Sequence, residues 1–143
     1  MDIYSDSFWA AFGPFLIILL AILIIMILAG TWKIFSKAGK PGWAGIIPIY
    51  NTYILSNIVF GNAIFFTASM VVGVLAWIAK EVKIDFLSLI TNIAAIVLNI
   101  FLSIKLSKAF GKSGGFIVGM IFLPFIFIPI LGFGSAEYIG PDN

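Results

Sequence analysis

The sequence predicts an all-α integral membrane protein, with three clear transmembrane helices plus two proline-broken segments that are short or re-entrant. Three observations predict it. Apolar residues make up 62% of the 143-residue chain and charged residues 10%, too few charges to cover a soluble domain of this length. The mean hydropathy is +1.20, as expected where lipid is the solvent for much of the fold. The charges gather at the ends of the apolar runs rather than within them. The length suits a single membrane domain over residues 1–143, with helices at about 8–31, 63–79 and 84–108 and the broken segments at 43–60 and 116–133.

A polar lead over residues 1–7 carries Asp2 and Asp6. It lacks the basic start and small-residue cleavage site of a signal peptide, so the first apolar run is expected to stay as an anchor. That run has Gly13-Pro14 near its start, where a proline's missing N–H is tolerated, and Trp9 and Trp32 as interfacial anchors. Lys33, Lys37 and Lys40 follow with no acid among them, and Pro41-Gly42 makes a turn.

Residues 43–60 are apolar but hold Pro48, Tyr50, Asn51, Thr52 and Tyr53 at their centre. Pro48 and Asn51 call for a bend whose freed polar groups find partners. Either a short kinked helix crosses here, or the segment dips in and returns. Residues 63–79 follow, with Ser69 and Gly73 as a small-residue packing face. Lys80-Glu81-Val82-Lys83 is a polar break, and the next run leads into Lys105, Lys108 and Lys112. The last run contains Pro124 and Pro129, both read as bends, and the tail from Gly134 is expected to be mobile.

Charge counting favours return over crossing for residues 43–60. Both acid-free lysine clusters then lie on the cytoplasmic side, as the positive-inside bias requires, and the N-terminus lies outside. On that side Lys33, Lys37, Lys40, Lys105, Lys108 and Lys112 are expected to contact anionic lipid head groups. All eight basic residues are lysines, so no bidentate phosphate fork is available and no nucleic-acid partner is expected.

Ser36-Lys37-Ala38-Gly39-Lys40-Pro41-Gly42 and Ser107-Lys108-Ala109-Phe110-Gly111-Lys112-Ser113-Gly114 share Ser-Lys-Ala and Gly-Lys-x-Gly, and each precedes an apolar run with an internal proline. A weaker copy runs from Ser56 to Gly61-Asn62. The pattern suggests an internal repeat. Gly30-Thr31-Trp32-Lys33, Lys37-Ala38-Gly39-Lys40-Pro41-Gly42-Trp43 and Ile47-Pro48-Ile49-Tyr50-Asn51 resemble a small prokaryotic membrane domain of unknown function. Phe110-Gly111-Lys112, Leu123-Pro124-Phe125-Ile126-Phe127 and Pro129-Ile130-Leu131-Gly132-Phe133-Gly134 resemble the end of the same domain. In some bacterial type I signal peptidases that domain precedes the catalytic region. The resemblance implies a multi-pass protein of the prokaryotic cytoplasmic membrane. It is weakest in the middle, where the family usually has a second Gly-Lys/Arg-Pro-Gly-Trp and this chain has Gly61-Asn62.

The chain has no cysteine and no histidine, which removes thiol nucleophiles, imidazole acid–base chemistry and the common zinc and haem ligands. No cofactor or metal is expected. Ser36/Lys37 and Ser107/Lys108 are sequence neighbours, which do not face one another on a helix, so Ser-Lys peptidase chemistry is disfavoured. Gly39-Lys40-Pro41-Gly42 lacks the spacing of a phosphate loop. On the 84–108 helix, Asp85, Ser88, Asn92, Asn99 and Ser103 fall within about a 60° sector at 100° per residue. This stripe is either a hydrophilic path or, the favoured reading, a hydrogen-bonding seam between helices or to a partner subunit. The expected role is therefore a non-enzymatic accessory or scaffold subunit of a larger membrane complex, partnered by lipid and by another subunit or a second copy. A small oligomeric transporter, channel or lipid-handling protein is the alternative.

Overall fold

A computed structural model describes residues 3–141, so Asp2 of the acidic lead lies outside the described residues. Among them every regular element is helical. The chain runs α1 (Ile3–Lys37), a 3₁₀ turn (Gly42–Gly45), α2 (Tyr50–Phe60), α3 (Ile64–Val82), α4 (Asp85–Ala109), α5 (Gly115–Phe122) and α6 (Pro124–Phe133). Three of these, α1, α3 and α4, are long and apolar enough to cross a membrane.

The helices overrun the expected limits. α1 begins within the polar lead and continues through Lys33 and Lys37, so Pro14 lies well inside it rather than in its first turn. α3 carries on through Lys80 and Glu81, which cuts the polar break to Lys83-Ile84. Three helices end in the same way, on a left-handed glycine: Gly39, Gly61 and Gly111 have φ of 74°, 73° and 74°. In two of them the second residue beyond the cap reaches back five positions. The Lys40 N–H donates to the Phe35 carbonyl (2.9 Å) and the Lys112 N–H to the Ser107 carbonyl (2.8 Å), which satisfies carbonyls the helix would otherwise leave orphaned. The Ser-Lys-Ala…Gly-Lys likeness therefore corresponds to one shared cap, a device common enough to arise without duplication.

The core sits at one end of the molecule. Ile34 and Phe35 of α1, Ile54, Ile58 and Val59 of α2, Leu106 and Ala109 of α4, Met120 of α5 and Leu131 of α6 form one buried cluster. From this base α3 and α4 run out as a packed hairpin, while α1 packs against α6 and the 3₁₀ turn. None of the most apolar stretch of α1 is buried.

Both broken segments return to the base. α2, at 11 residues, spans about 16 Å, half a hydrocarbon core. It starts beyond Lys40 and ends where the Tyr138 hydroxyl donates to the Ile58 carbonyl. The 116–133 run is two helices hinged at Leu123 (φ −131°, ψ 55°). They fold face to face, with the Phe127 ring where a Cβ on Gly119 would stand and the Phe116 and Phe127 rings edge-on at 5.1 Å. α5 leaves the base just beyond Lys112 and α6 comes back to Lys37, whose Nζ donates to the carbonyls of Leu131 (2.7 Å) and Gly134 (3.0 Å).

The tail, expected to be mobile, is docked. The Ile139 N–H donates to the Ala109 carbonyl (2.8 Å), Tyr138 packs on Phe110, and Pro141 lies over Gly61. Its polar residues suggest mobility, but Ala136 and Tyr138 pack against the core.

Candidate functional site

The features that could serve a function are the two lysine clusters, the 46–50 bend and the groove between α3 and α4.

The base gathers both clusters. Lys112 lies close enough to Lys37 to act on it electrostatically. Lys33, Lys40 and Lys108 are exposed. The Lys105 ammonium stands 5.5 Å from the Phe101 ring and that of Lys112 5.6 Å from the Phe116 ring, a cation–π contact in each case. Lys37 bonds to backbone carbonyls of another helix. Half-buried, it caps the C-terminus of α6, where the helix dipole favours a cation. Its ammonium is thus engaged within the chain.

The bend in 43–60 is centred one residue away from the expected pair. Ile49 has φ 68° and ψ −54°, and the Tyr50 N–H donates back to the Pro48 carbonyl at 2.7 Å. This is a γ-turn of the rare positive-φ kind, on a β-branched residue. Asn51 holds it in place: its N–H donates to the Ile47 carbonyl (2.9 Å) and its Nδ2 to the Gly45 carbonyl (3.3 Å). Trp43, Tyr50, Tyr53 and Phe66 continue outward as a chain of ring contacts, suited to a membrane–water boundary. No sequence signal marks Ile49, because only the backbone turn singles it out. Of the other expected bends, Pro124 opens α6 at the hinge, whereas Pro129 lies inside α6 and is buried. Its ring occupies the space left open by Gly30 of α1, where a Cβ would come within 2.9 Å of the proline backbone. Pro129 therefore packs against α1 from within α6.

The polar stripe on α4 divides along the helix. Asp85 is exposed in the first turn, favourably placed for the helix dipole. Ser88 and Asn92 line a cavity of about 370 Å³ beside Trp77 and Lys80. Asn92 and Asn99 line a second, of about 240 Å³, against Ser69 and Gly73 of α3. The two share Ala76, Thr91 and Asn92 and form one open groove along the hairpin. Ser103 is buried near the base, its carbonyl accepting from the Ser107 hydroxyl (2.8 Å). Thr91, outside the predicted stripe, is also buried and bonds the carbonyls of Leu87 and Ser88. Asn92 and Asn99 are exposed, and among the described residues their amides have no partner in the chain. The stripe is thus not an internal seam at those two positions.

Among the described residues no cluster of His, Cys, Asp and Glu is suited to a metal ion. The model of a family of unknown function, DUF5684, matches residues 43–141. No curated protein and no solved structure matches the chain. The matched span starts at Trp43 and takes in α2 to α6 with the docked tail, leaving α1 outside it. Since that span is most of the sequence, the chain belongs to the DUF5684 family.

Proposed function

We propose that this protein is a membrane-embedded accessory or scaffold subunit, non-enzymatic, that offers its long helices to other membrane components. One observation carries the reading: the chain concentrates its packing at the base, and no residue in the most apolar stretch of α1 is buried within the chain. A helix in lipid that must hold a partner is left bare on that side by its own chain. The resemblance to a domain that precedes the catalytic region of some signal peptidases supports the same role, since a module carried in cis beside an enzyme is suited to act beside one in trans.

In this reading the base lies at the cytoplasmic face of a prokaryotic membrane. Lys33, Lys40, Lys105, Lys108 and Lys112 meet anionic head groups there, and the N-terminus and the Lys83 turn lie outside. Native mass spectrometry from bilayer-derived particles is expected to show the chain with a stoichiometric protein partner or a second copy. A bare monomer under several gentle extractions would remove the proposal.

The α3–α4 groove favours one second reading, a small oligomeric transporter, channel or lipid-handling protein. In liposomes, flux or lipid scrambling that falls on Asn92→Leu/Asn99→Leu would support it. Rates equal to those of protein-free vesicles would exclude it.

A further inference from the structure

We infer that α4 pairs with α4 of a second copy of this chain, along a seam of Leu89, Asn92, Ile96 and Asn99. The inference rests on the membrane-embedded reading above. The four residues are spaced three, four and three apart, the 3.5-residue period of a left-handed helix pair. At 100° per residue they occupy a sector of about 80°. All four are exposed, Leu89 at 57% and Ile96 at 60%. Other exposed stripes of α4 are wholly apolar and suit lipid; this one carries two carboxamides.

Asn92 and Asn99 lie about 10 Å and 20 Å along α4 from Asp85, at 1.5 Å per residue. In a spanning helix that depth is hydrocarbon, where a carboxamide without a partner is costly. Ser69 borders the same groove, but neither amide bonds to it. The missing partner must therefore come from outside the chain.

The chemistry of the side chain selects a second copy. A carboxamide has two donors and an acceptor with two lone pairs, so it is its own complement. Copies inserted in one membrane share one orientation, and a two-fold axis relating them runs along the membrane normal. Across that axis α4 meets α4 in parallel, Asn92 against Asn92 and Asn99 against Asn99. Leu89 and Ile96 close the apolar layers between. A polar residue within an apolar seam is also what fixes register and a two-stranded state.

The chain contains no cysteine, which makes the test direct. Ile96→Cys and Ile90→Cys are made separately in the full chain and oxidised in native membranes. Ile90, 46% exposed, lies about 120° round the helix from Ile96. Cross-linking to twice the chain mass is expected at position 96 and not at position 90. Adding Asn92→Leu/Asn99→Leu to Ile96→Cys is expected to lower the dimer association constant in liposomes about tenfold or more, read by energy transfer against lipid dilution. Equal cross-linking at both positions, an adduct with a different protein, or an association constant unmoved by the leucines would each overturn the pairing. A membrane-inserted chain that stays monomeric overturns the pairing alone. A chain washed from membranes by carbonate overturns the membrane reading and the pairing with it.

Discussion

At the scale of the residue, four side chains or dihedrals give sharp expectations. Lys37 donates to two carbonyls at the end of α6. Lys37→Met leaves both short of a partner, and a loss of about 1–3 kcal/mol is expected, read as a lowered midpoint of thermal unfolding in detergent. Ile49 sits at φ 68° and Lys83 at φ 59°, a region glycine enters without penalty. Lys83→Gly is expected to stabilise by about 1 kcal/mol. Ile49→Gly tests whether its strain is used: a gain of similar size with unchanged partner binding would make it incidental to function. Tyr138 ties the tail to α2 through the Ile58 carbonyl, and burial pushes its phenol above the ordinary tyrosine value. A raised folded-state value means the folded chain holds this proton more tightly than the unfolded one. The contribution is present below about pH 10 and is lost as pH rises through the raised value. Alkaline release of the tail, followed by amide exchange at Ile139, is therefore expected in the native chain. Tyr138→Phe should show faster exchange at neutral pH and no such pH step.

At the scale of the element, α1 and α6 pack backbone against backbone. A Cβ on Gly132 would meet the Gly30 carbonyl oxygen at 2.4 Å, and one on Gly30 would meet Pro129 at 2.9 Å. These neighbours are backbone and cannot swing away, so Gly30→Val or Gly132→Val must part the helices. A loss of at least about 1–3 kcal/mol is expected, seen as a drop in the yield of folded protein by size-exclusion chromatography. Gly73→Ala, with open space around it, is the matched control and should fold normally.

The long elements were legible in the sequence because an apolar run of some twenty residues has few other uses. The hinge at Leu123 was half-legible: Pro124 announced a break, but the fold-back depends on Gly119 receiving Phe127, a contact eight positions apart that no periodicity encodes. The tail was not legible. Its order comes from Tyr138 and Ile139 reaching Ile58 and Ala109, partners far away in sequence. On the stripe, the 100° rule gathered Asp85, Ser88, Asn92, Asn99 and Ser103 on one side of α4. It could not say that Ser103 faces the core while Asn92 and Asn99 face out, because that depends on where α3 and the base stop.

At the scale of the whole molecule, the arrangement makes a claim about sidedness. Residues 43–60 leave the base after Lys40 and end beside the docked tail, and α5 and α6 leave beyond Lys112 and return to Lys37. Neither excursion is long enough to cross: α5 has eight residues and α6 ten, roughly 12–15 Å each. In the proposed membrane setting the chain would cross twice between Lys40 and Lys112, through α3 and α4, and bring the two lysines back to one side. Single cysteines at Lys40, Lys80 and Lys112, labelled by an impermeant thiol reagent in intact spheroplasts, report each side directly. Position 80 is expected to label from outside, and positions 40 and 112 only after permeabilisation. Labelling of 40 and 112 from opposite sides would mean that α2 or one of the long helices is threaded otherwise. Labelling of both from outside would keep the fold and invert it in the membrane. That second outcome would move the lysine-rich base to the outer face and separate the packing argument, which needs only that the clusters share a side, from the positive-inside argument, which says which side it is.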